Sequence, residues 1–164
     1  MNYLKIEDVD IGNGLDVGTV LWVSGCSHCC PHCHNPQTWD KNVGEEFTDE
    51  VLDNLLVKLD KPYIKRLTLS GGDPLFMGNR DAITAIVRKV KKNFPNIKVW
   101  CYTGYKWEHV KDLPCMDFID ILVDGKFKFE LRDVTLPFRG SSNQRIINVQ
   151  ESLKKGNVVL EEIC

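Results

Sequence analysis

Thr19-Val20-Leu21-Trp22-Val23-Ser24-Gly25 runs without interruption into Cys26-Ser27-His28-Cys29-Cys30-Pro31-His32-Cys33. The first five residues are β-branched, aliphatic or aromatic and predict a short buried strand, which Ser24-Gly25 ends. A strand that opens straight onto a reactive loop is the layout of an α/β protein, in which sites gather beyond the carboxyl ends of the strands. The same grammar recurs downstream. Arg66-Leu67-Thr68-Leu69 stops at Ser70-Gly71-Gly72-Asp73-Pro74. Ile97 to Tyr102 stops at Thr103-Gly104, and Phe118 to Val123 stops at Asp124-Gly125. A further strand is expected over Arg145 to Val149.

Helical patterns alternate with these strands. Thr48 is placed to cap a helix whose first turn carries Asp49 and Glu50 and whose inner face carries Leu52, Leu55, Leu56 and Leu59. Ile83, Ile86, Val87 and Val90 predict a second helix from about Asn79 to Phe94, broken by Pro95-Asn96. Strand–helix alternation implies right-handed crossovers and a parallel sheet. No repeat, low-complexity tract or linker divides the 164 residues, so residues 1–164 are expected to form a single domain.

Composition narrows the function. A formal net charge of −2 gives no electrostatic basis for binding nucleic acid. No apolar run approaches the ~20 residues of a membrane span, and the N-terminal residues lack the features of a secretory signal. A cytoplasmic location is expected. The chain has seven cysteines, four of them within positions 26–33. An odd count so tightly clustered argues against a disulfide framework and for metal or redox chemistry.

Within the cluster, Cys26, Cys30 and Cys33 have the spacing Cys-x3-Cys-x2-Cys. Three thiolates on one compact loop suit three corners of a four-iron, four-sulfur cube, leaving one iron without a protein ligand. The competing assignment is zinc, because Cys26/Cys29 and Cys30/Cys33 are abutting Cys-x2-Cys pairs with histidines nearby. Four ligands in eight residues would struggle to surround one ion tetrahedrally.

These features resemble the radical S-adenosylmethionine superfamily, and within it the short activating proteins of anaerobic ribonucleotide reductase. The resemblance covers most of the chain. It rests on Val23-Ser24-Gly25-Cys26, Cys33-His34-Asn35, Leu69-Ser70-Gly71-Gly72-Asp73-Pro74-Leu75, Tyr102-Thr103-Gly104-Tyr105, Leu122-Val123-Asp124-Gly125-Lys126-Phe127 and Phe138-Arg139-Gly140-Ser141-Ser142-Asn143-Gln144-Arg145. Two positions depart from the family pattern: His34 stands where tyrosine is expected, and Cys29 where another residue is usual.

The resemblance implies a partial, open parallel β/α barrel and a [4Fe-4S] cluster ligated by Cys26, Cys30 and Cys33. It implies reductive cleavage of S-adenosyl-L-methionine at the open iron and generation of a glycyl radical on the large subunit of anaerobic ribonucleoside-triphosphate reductase. A flavodoxin-like electron donor is implied as well. The backbone at His32, Cys33 and His34 is expected at the adenine, and the imidazoles themselves in solvent. Gly71, Gly72 and Asp73 are expected at the methionine ammonium, with Thr103 and Asp124 lining the pocket and Lys126 at the carboxylate. Asn143, Gln144 and Arg145 supply polar groups for cofactor or partner. Two other assignments stay open: activation of another glycyl-radical enzyme such as a formate-lyase, and a non-catalytic iron–sulfur or zinc protein.

Overall fold

The computed structural model describes residues 1–163, so Cys164 lies outside the described residues. Seven strands form one sheet in the order β3-β1-β2-β4-β5-β6-β7. They are β1 (Asn2–Asp10), β2 (Gly18–Val23), β3 (Glu45–Glu46), β4 (Arg66–Gly71), β5 (Lys98–Tyr102), β6 (Ile121–Asp124) and β7 (Arg145–Asn148). Four helices accompany them: α1 (Asp49–Leu59), α2 (Arg80–Asn93), α3 (Trp107–Val110) and α4 (Val149–Lys155).

The expected parallel sheet is the centre of a mixed one. β2, β4, β5 and β6 are mutually parallel. β1 pairs antiparallel with β2 and β3, and β7 antiparallel with β6. The sheet does not close. Its β7 edge is covered by the chain that follows α4, through Asn148 N–H to Val159 O and Glu161 N–H to Ile146 O, both 2.9 Å.

Alternation along the strands builds two different faces. Leu67 and Leu69, Val99 and Cys101, and Leu122 and Ile147 join one large buried cluster. The buried residues of α1, α2, α3 and the start of α4 belong to that same cluster, so the helices lie on one face. The opposite face carries a small apolar group, Trp100, Ile121, Val123 and Ile146, together with buried Arg66 and Thr68. Helices on one face of an open sheet separate this architecture from a doubly wound one.

The helix expectations hold closely. The Thr48 hydroxyl accepts the Val51 N–H at 3.4 Å, and Leu55 and Leu59 are buried while Leu52 and Leu56 pack against the core. α2 begins after Asn79 and ends before Phe94. Two expectations are corrected. β1 is not among the expected strands: Lys5, Glu7, Asp8 and Asp10 interrupt its apolar residues, nearly all of it is only partly buried, and pairing with β2, interrupted by two register shifts, makes it a strand. Phe118 to Asp120 is not strand. The Asp120 carboxylate accepts the Val99 N–H at 2.7 Å and the Lys91 ammonium at 2.6 Å, so a side chain bonds where a ladder would.

Candidate metal and cofactor site

The loop after β2 returns past the ends of β4, β5 and β6, and together they enclose a cleft of about 220 Å³. Cys26, Cys30 and Cys33 line it; Cys29 does not, and is exposed with φ of 48°. The three cysteines share the lining of this one cleft. Among the described residues, no three His, Cys, Asp or Glu side chains gather closely enough to surround a single metal ion.

The Cys33 sulfur accepts the Asn35 N–H at 3.4 Å, and the backbone N–H groups of His28 and Phe127 lie close enough to Cys26 and Cys30 to favour their thiolates. Such bonds tune a ligated sulfur and hold it in place. Burial pushes the Cys26 thiol up to about 11, only partly offset by the His28 N–H, and burial also raises Cys30. Without metal these two thiols are protonated at neutral pH, so loading a cluster must release their protons.

The opposite wall is Ser70-Gly71-Gly72. Gly72 is required by close approach: a Cβ there would stand 2.6 Å from Gly25 O and 2.9 Å from Thr38 O. Gly25 O also accepts the Asp73 N–H at 2.8 Å, which seats the cysteine loop on the glycine turn. Asn79 reinforces the junction. Instead of capping α2, its amide donates to Ser24 O at 2.8 Å and Asp73 O at 3.1 Å.

Asp73 is the hub of this end of the sheet. It is buried, and its carboxylate accepts the Leu75 N–H (2.8 Å), the Thr103 hydroxyl (2.9 and 3.0 Å) and the Gly104 N–H (3.0 Å). It also meets His28 Nε2 at 2.7 Å. The carboxylate is therefore turned into the protein rather than presented bare to a ligand. His28 was not singled out in the sequence. Its ring, 7% exposed, packs edge-on to Tyr105 at 4.5 Å and against Gly104, where a Cβ would fall 2.3 Å from the ring. It pins the loop between Cys26 and Cys30 to β4 and β5. No property of an isolated Ser-His-Cys stretch announces such a distant partner.

Thr103 and His34 line the thiol cleft with Gly71, Gly72 and Asp73. Asp124 and Lys126 do not; they line a neighbouring cavity of about 510 Å³. The Asp124 carboxylate accepts the Trp107 N–H at 2.8 Å and is paired with Arg145, which also grips Glu108 through two 3.1 Å contacts. His32 is on neither wall and stacks on Phe129 with ring centroids 4.1 Å apart. Both imidazoles, His32 and His34, are exposed, as expected. Cys101 and Cys115 are buried in the core. No helix among the described residues is long and apolar enough to cross a membrane.

Three thiols around a glycine-walled cleft at strand ends form an iron–sulfur type of site, and a family model described as "4Fe-4S single cluster domain" matches residues 11–147. Curated relatives agree. The anaerobic ribonucleoside-triphosphate reductase-activating protein of Enterobacteria phage T4 is 42% identical over 146 residues, covering 89% of this chain and 93% of that protein. The proteins of that name from Escherichia coli K12 and Vibrio cholerae are 42% and 40% identical, each across 96% or more of their length. The chain belongs to the family of anaerobic ribonucleoside-triphosphate reductase-activating proteins.

Proposed function

We propose that residues 1–164 act as one radical S-adenosylmethionine domain, a partial open β/α barrel that activates anaerobic ribonucleoside-triphosphate reductase. Cys26, Cys30 and Cys33 would hold a [4Fe-4S] cluster, and the iron left without a thiolate would be free for S-adenosylmethionine. When bound, the cluster supplies one electron, from a flavodoxin-like donor, that splits the sulfonium–C5′ bond and leaves methionine, 5′-deoxyadenosine and a glycyl radical on the reductase. The observation that carries this reading is the cleft that three thiols line while the fourth, Cys29, faces solvent.

The chain's own residues bind, orient and shield. Gly71 and Gly72 bring backbone close to the methionine ammonium, and buried Asp73 places negative charge behind them while holding Thr103 and the Gly104 N–H in position. The backbone at His32, Cys33 and His34 meets the adenine. Lys126 meets the carboxylate from the adjoining cavity, with Asp124 fixing that wall through Arg145. Cytoplasmic operation follows from the need for reduced thiols and a low-potential donor.

The test is anaerobic reconstitution with iron and sulfide, then reduction with S-adenosylmethionine in the presence of the reductase. Cluster absorbance, 5′-deoxyadenosine and a carbon-centred radical on the reductase are expected. Intact, reduced cluster with no 5′-deoxyadenosine sinks the enzyme reading. A radical that survives replacement of the acceptor glycine by alanine overturns the assigned hydrogen donor.

A further inference from the structure

The 510 Å³ cavity shares His28, Gly104 and Gly125 with the thiol cleft, so an occupant of one lies beside the other. Its walls are unbalanced in charge. Lys106, Lys126 and Lys128 are exposed there, and none forms an ion pair among the described residues. Asp124 is the one carboxylate in the walls, and it is buried and already neutralised by Arg145. With Lys126 assigned to the cofactor side, Lys106 and Lys128 remain as cations without an ion-pair partner among the described residues; the carboxylate near Lys106, Glu108, is already gripped by Arg145.

Asn143 adds a second, independent requirement. Its Nδ2 donates to Lys126 O at 2.9 Å, which fixes the amide's orientation. Its Oδ1 is then buried without a hydrogen-bond partner. A buried acceptor lacking a donor is costly, and an occupant that supplies one is favoured by that amount. Inorganic phosphate answers the lysines but brings few donors to Asn143. A peptide answers both, with carboxylate side chains for the ammoniums and a main-chain N–H for the amide oxygen.

We propose that this cavity is the docking groove for an extended, acidic segment of the reductase. The identity of the partner rests on the function proposed above; the groove and its chemistry rest on Lys106, Lys128 and Asn143. Seating there puts the adjoining residues of the same segment next to the opening shared with the thiol cleft. Contact with the partner and access to the radical chemistry are thereby joined in one surface.

The test uses the reconstituted protein and the reductase large subunit under anaerobic conditions, with affinity measured at low and moderate salt. Wild-type protein should bind, and more weakly as salt rises. Lys106→Glu/Lys128→Glu should weaken binding at low salt by about tenfold or more and flatten the salt dependence. Its 5′-deoxyadenosine formation without reductase should stay within about twofold, since charge change on a rim acts on association. Lys106→Gln/Lys128→Gln should fall between the two and guards against a fold defect from charge reversal. Asn143→Ala should weaken binding by about threefold to tenfold with the salt dependence kept.

Wild-type affinity and salt dependence in both lysine double variants would overturn the groove while leaving the proposed function standing. Failure of the wild-type protein to bind the reductase would instead defeat the proposed function. Wild-type binding of inorganic phosphate or ATP that is lost in the lysine variants, with reductase binding retained, would make this a small-anion site and overturn the peptide assignment.

Discussion

Arg66 and Asp73 mark the two ends of one strand and its turn, and both are buried charges held by several hydrogen bonds. Their surroundings differ. Arg66, 0% exposed, donates to the carbonyls of Asp10, Asn13, Leu15 and Asp16 and to the Asp10 carboxylate at 2.8 Å. Apart from the Thr68 hydroxyl on its own strand, every partner comes from the β1–β2 connection or its edges, and the guanidinium ends in a closed knot that ties this connection under the sheet. Asp73 is bonded as fully, but its partners, His28, Thr103 and Gly104, are themselves walls of a cleft that holds three thiols. Buried charge alone therefore does not mark a site. At the amino end of the parallel strands the polar network fills its own space; at the carboxyl end, glycines at 71, 72, 104 and 125 leave space open.

The sharpest way to break this contrast is at the thiols. Cys26→Ser, Cys30→Ser and Cys33→Ser should each lose most bound iron and all detectable 5′-deoxyadenosine, whereas Cys29→Ser should keep both. Iron content and product yield across the four variants decide it. A Cys29→Ser protein as inactive as the others would bring a four-cysteine site back into the lead.

At the other end, Arg66→Met should cost about 3–5 kcal/mol of stability, because it strands the Asp10 carboxylate and several carbonyls. The loss should show in the denaturation midpoint, with activity per folded molecule retained. Loss of catalysis in a folded Arg66→Met protein would erase the distinction between the two ends.

Asp73→Asn should behave in the opposite way. One carboxylate oxygen becomes an NH2 facing donors, so a fall of about tenfold or more in 5′-deoxyadenosine yield is expected while iron content is retained. Equal loss of iron and product would mean that Asp73 only holds the loop.

Acid provides the mildest probe. Burial alone would raise the Asp10 carboxyl, but Arg66 and the N–H groups of Asn13 and Gly12 outweigh it and hold the carboxyl below its ordinary range. A lowered native value means that this stabilisation is complete above the unfolded carboxylate value near 4 and is lost as pH falls through the native one. Wild-type thermal midpoints should therefore drop below about pH 4, and Asp10→Asn should start lower at pH 7 and show a shallower acid decline. An unchanged acid slope in Asp10→Asn would remove Asp10 from the linkage.

What sequence alone determined is what local chemistry encodes. Short β-branched, aliphatic and aromatic runs ending at Gly-containing turns located β2, β4 and β5, and the i, i+3, i+4 spacing of Leu55, Leu59, Ile83, Ile86 and Val87 located α1 and α2 with their helix-starting residues. The spacing of Cys26, Cys30 and Cys33 separated three thiols from Cys29 before any coordinate did. Tertiary structure decided the rest, because the rest depends on contacts between distant residues. β1 became a strand by pairing, and β7 ran antiparallel because its chain returns to β6 from the opposite end. Asp73 turned inward because Thr103, Gly104 and His28, 30, 31 and 45 residues away in sequence, all arrive at its carboxylate. Lys126 and Asp124 moved to the neighbouring cavity because Arg145 and the Trp107 N–H claim the Asp124 oxygens. A motif fixes which groups are at hand; folding chooses which of them are already engaged with one another and which still face open space.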